Sequence, residues 1–299
     1  MATHYTSRVT ISIVVLLASL ITNVVATKET TLSDVDLLEF PLNLEYLEAE
    51  FFLFGSFGHG LDAVAPELAD GGPSPIGAKV AKLKDRKIKQ IIFEFGLQEV
   101  GHLRAIKSTV KGFSRPLLNL SKSTFAKVID NAFGKPLHPP FDPYANDINF
   151  LLASYLIPYV GLTGYVGTNP HLQNAASRQL VAGLLGVEAG QDAVIRTLLF
   201  ERRELKVKPY GVSVGEFTER ISTLRDILGH GGVKDVGVDE ASGSIGSTIL
   251  AGDESSLSYS RTPQEILRII YGSGNESVPG CFYPKGGNGR IVRSFLHTS

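Results

Sequence analysis

The chain of 299 residues contains a single cysteine, a single methionine and no tryptophan. Because a disulfide needs two thiols, the lone Cys281 excludes any disulfide within the chain. It also excludes zinc and iron–sulfur sites that are built from several cysteines. Positive charge is not in surplus either, since 29 Lys and Arg stand against 30 Asp and Glu. We therefore expect no nucleic-acid partner, because such proteins carry an excess of basic residues.

Apolar residues, in contrast, are abundant. They make up 43% of the chain, which is too high a fraction for a disordered protein. The length fits one large domain or two small ones. Without disulfides, such a protein must be stabilised by its hydrophobic core, and this favours a large helical bundle.

Residues 1–26 have the features of a secretory signal peptide. Arg8 precedes an apolar run over residues 9–20, and Val24 and Ala26 have the small side chains that signal peptidase prefers. Polar residues within this segment leave the run shorter than the ~20 residues that span a bilayer. The sequence therefore predicts a secreted protein with no membrane attachment after cleavage. The alternative is a retained membrane anchor.

Two tripeptides match the acceptor sequence for N-linked glycosylation. They are Asn119-Leu-Ser and Asn275-Glu-Ser, and neither has proline in the middle position. In a secreted protein, we expect Asn119 and Asn275 to be glycosylated.

Four long segments have the apolar periodicity of amphipathic helices. They cover residues 34–57, about 74 or 79 to 110, 143–166 and 169–204. A shorter helix is expected near residues 123–131. We predict an all-α four-helix bundle over residues 27–205.

The remaining residues, 206–299, are predicted to form a C-terminal extension that packs on the bundle. Capping boxes at Ser213–Glu216 and Thr262–Glu265 open two short helices. Residues 229–260 between them are rich in Gly, Ser and Asp, and we interpret them as a long irregular surface loop.

Three of the four long helices carry carboxylates in the middle of the face that a packed helix buries. The polar residues on these faces are Glu45, Glu99, His102, Glu188 and Gln191. Glu99 and His102, like Glu188 and Gln191, are three residues apart, so both side chains of each pair leave the helix from one face. Burying several ionised carboxylates together is costly. A shared cation offsets that cost, as in the dinuclear carboxylate sites of ferritin-like bundles.

The third long helix departs from this pattern. Tyr155 and Tyr159 stand where a fourth carboxylate is expected, and Pro158 bends the helix between them. The candidate ligands are therefore Glu45, Glu99, His102 and Glu188, with Gln191 a weak fifth. Three outcomes stay open: a single Fe or Mn ion, a degenerate site, or no metal. Without metal, the carboxyl groups would share protons or pair with His102 and the tyrosines.

Other residues near these positions receive structural interpretations. Glu48 and Glu50 are expected to face solvent or a neighbouring helix. Small residues beside the candidate ligands are expected to let helices approach closely; they are Gly101, Gly183, Gly186, Ala189 and Gly190. The histidines outside the helical faces are expected to be surface or structural residues; they are His59, His138, His171 and His230.

Several segments together resemble the plant desiccation-related proteins of the PCC13-62 type, which are ferritin-like. They are DVDLLEFPLNLEYLEAEFF (34–52), EVGH (99–102), GVEAGQD (186–192) and TPQEILRIIYG (262–272). The resemblance implies a secreted helical protein linked to water deficit. It also implies that Glu45, Glu99, His102 and Glu188 match ligand positions of ferritin-like relatives. Gln191 stands where those relatives have His, and Pro158 or Tyr159 where they have Glu.

Three functional hypotheses follow. The first is a non-enzymatic, secreted protein of desiccation protection with a degenerate metal site and no catalytic residue. The second is a metal-dependent, di-iron-like oxidase or iron-handling protein that uses Glu45, Glu99, His102 and Glu188. The third is a binding module for the cell wall or another protein, using residues 229–260. The expected partner is a cell-wall component or a second copy of the chain. The expected location is the apoplast or cell wall or, alternatively, the vacuole.

Overall fold

Four helical columns form the bundle in the computed structural model, which describes residues 32–239 and 249–296. The first column is α1 and α2, the second is α5, the third is α7 and α8, and the fourth is α9. Their bounds are α1 Asp34–Glu39, α2 Leu42–Phe57, α5 Arg86–Thr109, α7 Asp147–Ser154, α8 Pro158–Thr168 and α9 Ala175–Phe200. Helix α2 packs mainly against α5, and α8 against α9, while α5–α9 and α2–α8 contacts close the bundle. The predicted all-α four-helix bundle is confirmed.

Shorter elements complete the described chain. Helices α3 and α4 follow α2, α6 lies between α5 and α7, and a 3₁₀ turn separates α8 from α9. A two-stranded antiparallel hairpin and helices α10 to α12 make up the C-terminal part. Their bounds are α3 Leu61–Val64, α4 Pro66–Ala69, α6 Lys122–Phe133, the 3₁₀ turn Asn169–His171, β1 Lys206–Val207, β2 Val212–Ser213, α10 Val214–Gly229, α11 Pro263–Tyr271 and α12 Arg290–Leu296.

Capping residues set most of these boundaries. The Asp85 side chain accepts hydrogen bonds from the first-turn amides of α5, so this helix begins later than residues 74 or 79, where we expected it. Ser213 caps α10, and Thr262 with Glu265 forms the full capping box of α11. Gly58, in the left-handed conformation with φ 84°, ends α2.

The third long helix is broken rather than bent. Helix α7 ends at Ser154 and α8 begins with Pro158 at its first turn. Proline has no N–H to continue the hydrogen-bond pattern of the preceding helix. The two halves therefore present different faces to the bundle core.

Contrary to our expectation, the glycines near the candidate ligands do not mediate close helix packing. A Cβ atom added at Gly101, Gly183, Gly186 or Gly190 would meet no described atom within 4 Å. Close contacts occur instead along α8. There, a Cβ at Gly164 would lie 2.6 Å from Ile266 Cδ1, and one at Gly167 would overlap the Arg261 carbonyl oxygen.

The irregular segment after α10 packs in part against the bundle. Asp235 and Val238 are buried. The backbone carbonyls of Lys234 and Val236 accept hydrogen bonds from the Tyr159 and Tyr155 hydroxyls, respectively. Residues 230–233 and 254–258 are exposed, so this packing covers only part of the surface on which the binding-module hypothesis depends.

One segment of the described chain, Asp147–His171, is long and apolar enough to span a membrane by length and composition alone. Within its most apolar window, 89% of the residues are buried among the other helices. That burial is typical of a core helix. The predicted signal peptide, residues 1–26, lies outside the described residues.

Candidate metal centre

Four helices contribute side chains to a buried acidic site at the centre of the bundle. Helix α2 supplies Glu45 and Glu48, α5 supplies Glu99 and His102, α9 supplies Glu188 and Gln191, and α8 supplies Tyr165. Pairs three residues apart leave a helix from one face, so each of the first three helices directs two groups inward. All seven side chains are buried, and the most exposed, His102, has only 7% of its surface accessible. The structure thus brings together all five residues that the sequence singled out.

His102 lies at the focus of three carboxylates. Its Nδ1 atom is 3.0 Å from Glu45 Oε2, 3.1 Å from Glu99 Oε2 and 3.4 Å from Glu188 Oε1. An imidazole nitrogen carries at most one hydrogen. It therefore cannot satisfy three acceptors at once, whereas a cation placed among these atoms could contact all of them.

Two neutral donors orient the carboxylates. The Tyr165 hydroxyl donates a short hydrogen bond to Glu45 Oε1. Gln191 Nε2 donates to Glu99 Oε1 at 2.5 Å and to Gln98 Oε1 at 3.0 Å. Gln191 therefore acts in this arrangement as a donor to a ligand candidate, with its Oε1 left unpartnered among the described residues.

Glu48 is the one carboxylate of the acidic site that the sequence analysis did not propose as a ligand. We expected it to face solvent or a neighbouring helix, but it is 1% exposed and belongs to the acidic site. A Cβ added at Gly161 of α8 would lie 3.2 Å from Glu48 Oε1 and 3.6 Å from Glu188 Oε2. The fourth carboxylate thus comes from α2 and occupies space that a glycine on α8 leaves open. The signal was available, because Glu45 and Glu48 have the same spacing as Glu99 and His102.

Burial and mutual repulsion shift the pKa values of these groups. Burial, followed by repulsion from Glu188, raises the pKa of Glu48 well above its ordinary value, and burial does the same for Glu99. Burial raises the pKa of Glu188 to about 7. For Glu45, burial favours a higher pKa, but attraction to His102 together with hydrogen bonds from His102 and Tyr165 outweighs it and lowers the pKa. Burial lowers the pKa of His102, but attraction to Glu45 and Glu99 outweighs it and raises that pKa overall.

The donor set fits a divalent cation. One ligand atom from each of Glu45, Glu99, His102 and Glu188 lies within 4.8 Å of the others. In addition, Glu48 Oε2, Glu188 Oε2 and His102 Nε2 are buried and have no hydrogen-bond partner in the described part of the chain. Buried polar atoms are rarely left unsatisfied, and carboxylate and imidazole ligands suit manganese and iron.

Tyr155 and Tyr159 do not take the place of a fourth carboxylate, so that interpretation was wrong. The break before Pro158 changes the register, and Tyr165 and Gly161 face the site instead. The two tyrosines lie in a second polar group, which we name the arginine cluster: Tyr155, Tyr159, Arg196, Arg225, Asp235 and Arg261. All six are at most 3% exposed, and the guanidinium carbon of Arg225 lies 4.7 Å from the centre of the Tyr155 ring.

Glu50, also expected to face solvent or a neighbouring helix, is fully buried in a separate ion pair. The Arg115 guanidinium bonds Glu50 through one nitrogen and Asp62 through another, at 2.8 Å from Asp62 Oδ1. These contacts attach α3, which contains Asp62, to the bundle and have no part in the acidic site.

The remaining predicted residues lie at or near the surface. Asn275 is exposed, whereas Asn119 is half-buried and its Oδ1 accepts a hydrogen bond from the Ser121 amide. The four histidines interpreted as surface or structural residues are all exposed; they are His59, His138, His171 and His230.

Comparison with known proteins identifies the fold family. A family model described as a ferritin-like domain matches residues 33–201. The chain belongs to the ferritin-like family. It is 58% identical over 269 residues to the ferritin-like catalase Nec2 of Nesocodon mauritianus, covering 88% of this chain and 86% of the relative. It is 58% identical over 263 residues to the desiccation-related protein PCC13-62 of Craterostigma plantagineum, covering 86% and 84%.

The resemblance that the sequence motifs indicated is thereby confirmed. No solved structure matches the chain. The site of this ferritin-like protein departs from a dinuclear pattern with Glu-x-x-His on two helices, because α9 carries Gln191 and α2 carries two carboxylates.

Proposed function

We propose that this protein binds a manganese or iron ion in its acidic site and decomposes hydrogen peroxide. The observation that carries the proposal is that ligand atoms of Glu45, Glu99, His102 and Glu188 lie within 4.8 Å of one another. Beside them, Glu48 Oε2, Glu188 Oε2 and His102 Nε2 are buried and have no hydrogen-bond partner in the described part of the chain. One relative is named a ferritin-like catalase, and this supports peroxide as the substrate. The other is named a desiccation-related protein, and this supports a role in desiccation stress.

The reaction converts two molecules of hydrogen peroxide into two of water and one of dioxygen. One peroxide loses two electrons and two protons, and the other gains two electrons and two protons as its O–O bond breaks. The reaction needs a store for two electrons. Bound manganese or iron would supply it, through one ion that changes oxidation state by two or through two ions that each change by one.

The side chains around the site have separate tasks. The ion would be held by Glu45, Glu99, Glu188 and His102. Tyr165 orients Glu45, and Gln191 orients Glu99, through hydrogen bonds. The unpartnered Oε2 atoms of Glu48 and Glu188 hold the protons that pass from one peroxide to the other. The buried bundle keeps bulk water away from these atoms.

The test is elemental analysis followed by oxygen measurement. The purified protein should contain at least one Mn or Fe per chain, and hydrogen peroxide should produce dioxygen at an oxygen electrode. Glu99→Gln should lose both metal and activity. Glu94→Gln, on the exposed face of the same helix, is the matched control and should keep both. Metal-replete protein that releases no dioxygen would refute the proposal.

A second candidate is the non-enzymatic protein of desiccation protection. It is favoured by Gln191, which donates to Glu99 where a ligand histidine would otherwise stand, and by internal pairing of His102 with carboxylates. It predicts less than one ion per chain. It also predicts that metal-free protein protects a reporter enzyme through drying as well as the wild type does.

The oxidase or iron-handling alternative uses the same residues. It differs from peroxide decomposition in whether dioxygen is consumed or produced. Adding ferrous iron to the metal-free protein would consume dioxygen in that case, whereas peroxide decomposition produces it. An electrode trace with each addition distinguishes the two activities in one preparation.

We infer, in addition, that the chain is secreted after cleavage behind Ala26 and glycosylated at Asn119 and Asn275. The exposed Asn275 is the more accessible acceptor. Mass spectrometry of protein from its natural source would identify the mature N-terminus and the occupied asparagines. An intact residue 1–26 segment would contradict the inference.

A further inference from the structure

A narrow cavity adjoins the acidic site on the side of α8. Its volume is about 10 Å³, which is close to the least space that holds one water molecule. The lining comes from the α1–α2 junction, from α8 and from α11, and it includes Glu45, Gly161, Gly164, Tyr165 and Ile266. Glu45 and Tyr165 belong to the site itself, so the cavity reaches the candidate ligands. The other lining residues are largely apolar.

Two glycines create this space. A Cβ at Gly161 would lie 3.2 Å from Glu48 Oε1 and 3.6 Å from Glu188 Oε2, which has no hydrogen-bond partner among the described residues. Gly164, one turn later, leaves bare backbone against which the Ile266 side chain packs. Glu48 Oε1 and the unpartnered Glu188 Oε2 therefore lie beside a glycine that lines the cavity, and Ile266 lines the cavity from α11.

Ile266 is held firmly in this position. Residues 261–265 run along α8, where the Arg261 amide donates to the Thr163 carbonyl at 3.0 Å. The capping box of Thr262 and Glu265 fixes the start of α11, and Lys234 Nζ bonds Glu265 Oε1 at 2.6 Å. Ile266 is 2% exposed. Its side chain is thus anchored from both sides.

We propose that Ile266 limits the size of the molecules that reach the acidic site, admitting hydrogen peroxide and excluding organic hydroperoxides. This inference rests on the proposed function for the identity of the substrate. The C-terminal extension then contributes the specificity-determining residue, while the bundle contributes the ligands. A branched side chain packed on a bare glycine leaves no room for an alkyl group beside it.

The test compares Ile266→Ala with Ile269→Ala in the metal-loaded full chain. Ile269 lies on the same helix and is also buried, but it lines a different cavity. The ratio of tert-butyl hydroperoxide to hydrogen peroxide turnover should rise about tenfold or more in Ile266→Ala, the scale on which apolar pockets discriminate by size. It should not change in Ile269→Ala. Ile266→Val should give an intermediate ratio if the alanine variant does not fold.

A second readout needs no turnover. Azide and benzoate are anions of different size that bind metal ions, and their binding is followed by absorbance or electron paramagnetic resonance. Wild type and Ile269→Ala should bind azide alone, whereas Ile266→Ala should bind both. Equal binding of both anions by the wild type, or no difference between the two alanine variants, would overturn the inference. Selective anion binding without any peroxide decomposition would instead refute the proposed function and leave Ile266 as the size limit.

Discussion

The acidic site and the arginine cluster are both buried, polar and partly built on α9, yet their charges are balanced very differently. In the arginine cluster, Arg225 Nε lies 2.5 Å from Asp235 Oδ2, and an Arg225 terminal nitrogen donates to the Tyr155 carbonyl at 2.6 Å. Arg261 lies against Asp226 at 3.2 Å. In the acidic site, four buried carboxylates have a single histidine among them, and three of the four contact it.

This difference separates a structural role from a ligand-binding role. A buried charge with a partner of opposite sign is satisfied within the fold. Buried carboxylates that outnumber their partners raise the free energy of the folded chain until a cation joins them. We therefore assign the arginine cluster to stability and the acidic site to metal binding, and the following predictions test this contrast.

The largest expected effect is on stability, from removing an arginine of the arginine cluster. Arg225→Met leaves Asp235 buried without its main partner, and should lower the free energy of unfolding by about 3–5 kcal/mol. Urea unfolding of the metal-free protein measures this change. Arg220→Met, which removes a half-exposed pair with Glu216 on the same helix, should cost less than about 1 kcal/mol. Similar losses in the two variants would contradict a structural role for the arginine cluster.

The acidic site should respond to metal where the arginine cluster does not. A hundredfold excess of Mn²⁺ over its dissociation constant should raise the free energy of unfolding by about 2.7 kcal/mol. Thermal unfolding with and without the ion detects this as a higher midpoint temperature. The same rise should occur in Arg220→Met but not in Glu99→Gln. A rise that persists in Glu99→Gln would place the ion elsewhere.

Glu48→Gln should stabilise the metal-free protein and weaken metal binding. Since the folded pKa of Glu48 lies above its ordinary value of 4.5, the folded state binds the proton more tightly than the unfolded state. Stability from this group is therefore present below pH 4.5 and is lost as the pH rises. We expect Glu48→Gln to gain about 1–3 kcal/mol at pH 7 and little at pH 4. A gain that is equal at both pH values would exclude charge as its cause.

The sequence predicted the bundle and most of the site because both depend on local periodicity. Glu45, Glu99, His102 and Glu188 lie on apolar faces whose spacing is visible in the chain. Tyr165 and Gly161 were missed for a physical reason: the break before Pro158 resets the helical register, and periodicity cannot be extended across it. The partners of Glu50 and Ile266, which are Arg115 and Gly164, were equally hidden, because each lies more than sixty residues away in the chain.

The smallest expected effect comes from replacing a glycine of α9. It tests whether another surface covers the outer face of this helix. Gly186→Ala adds a methyl group that would meet no atom of the described residues within 4 Å, so the helix propensity of alanine should stabilise the protein by about 0.5–1 kcal/mol. Metal content and the response to Mn²⁺ should not change, because the substitution lies away from the acidic site and from the arginine cluster. Gly161→Ala is the contrasting variant, since its methyl group would crowd Glu48. If Gly186→Ala is instead destabilising, another surface covers this face in solution, as the expected homo-oligomer would require.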